Sequence, residues 1–214
     1  MRGLTPGRGA LGALIAAQVV HGRRSATPPP ASTRRMLAAM LATSAIEAVE
    51  ARGPRRGLGA LTAAGLTGFG AELIGVATDR PFGAYRYSAQ LGPRVGGVPV
   101  LAAAALAGWD VYLDPRMAQE GYWTWERPGR YAGIPASNFA GWFLTGCAVF
   151  SLLAVVDCAP PGPRDDGALA LYVWTWLGEA VANGVLWRRR GVAAAGAAAM
   201  GAVAVPAVRA RSRR

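Results

Sequence analysis

Three carboxylates stand in or beside long apolar runs of this chain. Glu72 lies inside GFGAELIG, and Asp110 and Asp114 close the next run at WDVYLDP. Glu72 is about one and a half helical turns before the end of its run. Asp110 and Asp114, four residues apart, share one face of a helix. A carboxyl group in a low-dielectric site holds its proton to higher pH, so it can act as a proton donor near neutrality. The competing structural role is an ion pair with a loop arginine such as Arg80, Arg86 or Arg116, which would fix only the position of a helix. Ionisable residues in apolar segments are costly, and function is one common reason for keeping them.

Aromatic residues surround these acids in sequence. Tyr85 and Tyr87 alternate, as do Trp123 and Trp125, and alternation sets each pair on one side of an extended segment. Trp109 directly precedes Asp110. Such residues serve either as anchors in the membrane interface or as walls for a flat apolar substrate, their π-faces stabilising a cation. Asn138 opens a later apolar run, where it could cap a helix or hold a water molecule. Gly133, Pro135 and Gly141 suit the turn before that helix.

The elements that must position these groups are apolar helices. The chain has 214 residues, 52% apolar and 16% charged, against roughly 25% charged in soluble domains. No Asp, Glu, Lys or Arg occurs between Arg94 and Asp110, Arg130 and Asp157, or Arg190 and Arg209. Seven apolar segments result, at 9–21, 36–51, 57–78, 97–114, 138–157, 167–187 and 191–208. Only helices or closed barrels satisfy their backbone in a bilayer. The expectation is an all-α, polytopic transmembrane bundle of six to seven apolar helices, with 1–214 forming one integral-membrane domain in the cell membrane.

The third segment is rich in glycine, which lets membrane helices approach closely. Pro206 is expected to end or kink the seventh. Segments 79–96 and 115–137 are the substantial loops, and 158–166 is a Pro-rich turn. The run 11–20 resembles a short signal-peptide core, but a first membrane helix is the preferred reading.

Composition also excludes functions. The net charge of +11 could suggest nucleic acid, but all 23 basic residues are arginines clustered between apolar runs. That is the pattern of loops flanking membrane helices, and no basic soluble module remains for nucleic acid. Their distribution over the two sides gives no orientation. His21 is the only histidine, and Cys147 and Cys158 lie roughly 16 Å apart along a helix, too far for a disulfide. Neither histidine catalysis nor a metal site is expected.

At this point the residues resemble a known family, the bacterial and archaeal carotenoid hydratases of the bisanhydrobacterioruberin hydratase type. The resemblance runs through Glu72–Gly75, Pro81-Phe-Gly-Ala-Tyr85-Arg-Tyr87, Leu91–Pro93 and Gly97-Val-Pro99. It continues in order through Trp109-Asp110, Leu113–Pro115, Gly121, Trp123, Trp125, Gly133–Pro135 and Asn138–Trp142. It covers about a third of the chain.

The resemblance implies addition of water to the terminal trisubstituted double bond of an acyclic carotenoid, giving a tertiary alcohol. That chemistry needs a proton donor, a shielded tertiary cation and a placed water. Asp110 or Glu72 is cast as the acid, with Trp109, Tyr85 and Tyr87 around the cation and Asp114 or Asn138 orienting the water. Trp123 and Trp125 complete the expected substrate-binding set. No cofactor or metal is required. The expected partners are the carotenoid, the lipid bilayer and other membrane enzymes of the same pathway. The alternative is a non-catalytic family member that binds carotenoid or partners those enzymes. A small transporter, the third class, would need a polar path for which only Glu72, Asp110 and Glu179 are available.

The chain departs from the family pattern at three places. Thr78-Asp79-Arg80 stands where a Thr-Gly is usual, and Tyr131-Ala132 where two tyrosines are usual. A further apolar helix and loop are expected between Pro99 and Trp109, which here are ten residues apart. If 97–114 crosses the bilayer once, Asp110 ends roughly 20 Å or more from Glu72. Either the segment does not fully cross, or the two acids do not cooperate.

Overall fold

Three prolines start the first three helices of the computed structural model, which describes residues 5–24, 30–87, 94–95, 98–99, 110–156 and 166–213. Helices α1 (Pro6–Arg24), α2 (Pro30–Arg52) and α3 (Pro54–Thr78) each place proline first. At that position the missing N–H would have had no intrahelical partner. Gly53, at φ +80°, separates α2 from α3. The later helices are α4 (Asp110–Gln119), α5 (Ala136–Val156), α6 (Asp166–Val181) and α7 (Arg190–Ser212). A single π-helical turn, Ala182–Leu186, extends α6.

The fold is all-α and of membrane type. Among the described residues, Pro54–Thr78, Gly167–Leu186 and Arg190–Ser212 are long and apolar enough to cross a membrane. Six of the seven expected apolar segments coincide with helices. The remaining one, 97–114, lies mostly outside the described residues: of it, Val98–Pro99 is a short strand and α4 is described from Asp110, running on to Gln119. The loop expected from 115 therefore starts five residues later, and Asp114 lies inside a helix. Pro206 does not end its segment, since α7 continues through it to Ser212.

Short antiparallel ribbons supplement the helices. Strand β1 (Tyr85–Tyr87) pairs with β4 (Trp123–Trp125), and β2 (Arg94–Val95) pairs with β3 (Val98–Pro99).

Contacts divide the chain into two units. One comprises Met1–Pro28, Ala39–Leu58 and Pro160–Arg214. Within it Gly57 meets the backbone of Ala48, an approach that a side chain would block. By contrast Gly59, Gly65 and Gly70 have open space where a Cβ would stand, whereas Gly68 and Gly75 of α3 are buried. Trp174 donates to Gln18 at 2.7 Å, and Trp176 donates to the Ala197 carbonyl at 2.9 Å. The fully buried Asn183 donates to the Glu179 carbonyl and carboxylate at the π-helical turn.

The other unit comprises Pro29–Ala38 and Gly59–Ala159. Its core gathers Leu37, Phe82, Met117, Tyr122, Trp123, Trp125 and Ile134, with Leu113, Tyr131, Phe139 and Trp142 packed against them. All the expected site residues belong to this unit.

Candidate active site

The chain reaches this site through three tight turns. At the end of α3, Thr78 Oγ1 donates to the Ile74 carbonyl at 2.7 Å and accepts from Arg80 N at 3.3 Å. Asp79 takes φ +59° there. This left-handed conformation is the one glycine adopts freely and aspartate tolerates, so Asp79 can stand where the family pattern has glycine.

At the end of α4, Gly121 (φ +76°) lets Tyr122 N bond to the Met117 carbonyl and its own N–H to Ala118. This is a Schellman motif, and its customary apolar contact is the buried Met117–Tyr122 pair. Before α5, Ala132 and Gly133 (φ +49° and +82°) close a hairpin in which Ile134 N bonds to the Tyr131 carbonyl at 2.7 Å. A Cβ on Gly129 would collide with the Ile134 carbonyl, so the hairpin is held tight.

These turns bring the two motif regions to one place. In the β1–β4 ribbon Tyr85 stands opposite Trp125 and Tyr87 opposite Trp123, while Glu126 N bonds to the Ala84 carbonyl. Trp123 and Trp125 are buried and Thr124 between them is exposed, the alternation expected of an extended segment. Helix α5 packs on the turn after α3 through Gly141, where an added Cβ would stand 2.5 Å from the Phe82 ring. Phe82 and Trp142 lie 5.1 Å apart at 44°.

At the centre Asn138 Nδ2 donates to Asp114 Oδ2 at 2.5 Å. Asp114 and Asn138 are 2% and 3% exposed, and Glu72 is 2% exposed. Burial drives the Asp114 carboxyl up to about 8, against the pull of the Asn138 hydrogen bond, and the charge of Glu72 adds to the rise. Glu72 and Asp114 therefore act on each other within one site. The separation from Glu72 expected for Asp110 involves residues outside the described ones, whereas Asp114, one turn on, feels the charge of Glu72. Its neighbour Arg116 gives its Nε to Glu120 at 2.7 Å.

Asn138 is not the cap of α5. It sits in the first turn, and its side chain turns to Asp114. Asp110 opens α4 one turn before Asp114, so the backbone places it near the site; its side chain, like those of Tyr85 and Tyr87, lies outside the described residues. Trp109 and Cys158 lie wholly outside them. Tyr131 is the group that the sequence reading did not assign. Its phenol is pushed up by burial and then by the charge of Asp114, and its ring meets Phe139 edge-on at 5.6 Å. The signals for it in sequence are its place between Gly129 and Gly133, two glycines bracketing a turn, and the tyrosine pair usual there in the resembled family.

A bisanhydrobacterioruberin hydratase of Haloarcula japonica is 29% identical over 195 residues, covering 64% of this chain and 64% of the relative. The chain thus spans less than two thirds of that protein's length. No solved structure matches. The sequence profile for carotenoid biosynthesis proteins matches residues 33–102 and 99–205. Its two stretches meet where an additional helix was expected from the family resemblance. Together these matches cover well over half of the sequence, and the chain belongs to the carotenoid biosynthesis protein family.

Proposed function

We propose that this chain is a multi-pass enzyme of the cell membrane that hydrates the terminal double bond of an acyclic carotenoid. The observation that carries the reading is the Asp114–Asn138 pair, buried with Glu72 in the unit that holds the aromatic core. An alkene has no leaving group, so its hydration begins with protonation. An acid that keeps its proton near neutrality, in a site shielded from bulk water, suits that step.

In this reading the Asp114 proton goes to the less substituted alkene carbon, whose π electrons form the new C–H bond. The tertiary cation left behind is shielded by aromatic faces such as Trp123 and Trp125. Water adds through oxygen and returns a proton to the Asp114 carboxylate, so the acid is restored and the sum is addition of one water. Asn138 fixes one oxygen of the carboxyl, leaving the other to carry the proton. Glu72 opposes ionisation of Asp114 through its charge. Asp114 thus takes the acid's role that sequence reasoning gave to Asp110 or Glu72, because its burial and its partner suit it to holding a proton.

The test is expression of the full chain in cells that accumulate lycopene, an acyclic carotenoid. The expected result is a pigment heavier by one water per reacted end. Stable membrane expression without such a product would leave the second reading, a carotenoid-binding member of the family without catalysis. That reading is favoured by the family match falling in two stretches rather than one.

A further inference from the structure

Hydration requires water to arrive beside a cation that must otherwise stay dry. Glu72, Asp114 and Asn138 are all nearly fully buried, and none of them reaches the surface. Tyr131 is half-buried, next to the exposed Ala132 and Arg130 of the hairpin turn. It packs on the same core as Leu113, which precedes Asp114, and it touches Phe139, which follows Asn138.

The hairpin leaves this residue little freedom. Bridges join Gly129 to Gly133 and Tyr131 to Ile134, and Gly129 is pressed on the Ile134 backbone. A phenol is both donor and acceptor, so it can hold a water molecule by one hydrogen bond while that water faces a carboxyl group. The charge of Asp114 acts on this phenol, which sets the two groups in one electrostatic neighbourhood.

We propose that Tyr131 is the water-positioning residue of the site, holding the molecule that captures the cation and supplies the hydroxyl of the product. This inference rests on the hydratase reading above. After protonation the cation has two fates. It accepts the water oxygen and becomes the alcohol, or it loses a proton from an adjacent carbon to the Asp114 carboxylate and becomes an alkene again. Tyr131 favours the first fate without affecting protonation.

The partition is measured directly in deuterium oxide. Membranes carrying the full chain are incubated with lycopene, and the alcohol and the deuterium content of the recovered alkene are followed by mass spectrometry. For Tyr131→Phe, which keeps the ring, the ratio of alcohol to deuterated alkene should fall roughly ten-fold, the effect of losing one hydrogen bond to the reacting water. Phe139→Leu loosens the ring and leaves the hydroxyl, and should move the ratio the same way by less. If Tyr131→Phe does not accumulate, Phe139→Leu decides. An unchanged ratio, including equal loss of alcohol and deuterated alkene, would overturn the proposal and leave Tyr131 a structural residue. A native chain that yields neither alcohol nor deuterated alkene would instead overturn the hydratase reading itself.

Discussion

In the proposed reaction Asp114 concentrates the chemistry in one carboxyl group, and its environment makes two linked predictions. With its ionisation raised from 3.8 to about 8, hydration should be sustained below that pH and fall as the acid ionises above it. Asp114→Asn keeps the acceptor for Asn138 but has no proton to give, so product should disappear while the protein still accumulates. Unchanged product would clear Asp114 of the role. The sign for stability follows from linkage. Below 3.8 the folded and unfolded chains both hold the proton. Between 3.8 and about 8 the unfolded chain releases it while the folded chain retains it, so the contribution of Asp114 to stability falls as pH rises through that window. Thermal unfolding in detergent should show this decline in the native chain and lose that part of it in Asp114→Asn.

Two connections hold the elements of the site, and each can be probed without touching the acid. Ala132 adopts a left-handed conformation that costs an L-residue with a Cβ about 1 kcal/mol. Ala132→Gly should therefore raise stability by roughly 0.5–1 kcal/mol, less what glycine gains in the unfolded chain; a lower melting temperature would count against the hairpin geometry. Gly141 is the reverse case, since α5 and the turn carrying Phe82 meet with no room between them. Gly141→Val should destabilise by about 1–3 kcal/mol through overpacking, seen as a lower melting temperature and reduced accumulation. The β1–β4 ribbon was half legible in sequence. Alternation announced two extended segments, but their pairing depends on where α3 and α4 end, which is settled by Asp79 and Gly121.

At the scale of the whole molecule, the helices longest in apolar residues leave many large side chains on the surface, among them Leu66, Ile74, Phe143, Leu144, Val185 and Val203. Such a surface is stable only against lipid or detergent. The chain should stay with the membrane pellet after alkaline carbonate extraction, and release into the supernatant would contradict the membrane-type fold. The family match in two stretches also operates at this scale. The catalytic reading needs Glu72 and Asp114 in one site, and both are buried in the same unit, with the charge of Glu72 acting on Asp114.

The sequence by itself determined the class of fold, because charge-free apolar runs have few solutions other than helices. It also determined the family, because rare residues recur in a fixed order from Glu72 to Trp142. It named Glu72, Asp114 and Asn138 as candidates, since polar groups in apolar runs stand out by their cost. Only the tertiary structure decided which of them meet. The partner of Asn138 is 24 residues away, and no periodicity links positions on α4 and α5. Tyr131 was hidden for the same reason: its neighbours are set by a left-handed turn at Ala132–Gly133, a backbone property that side-chain types alone did not reveal.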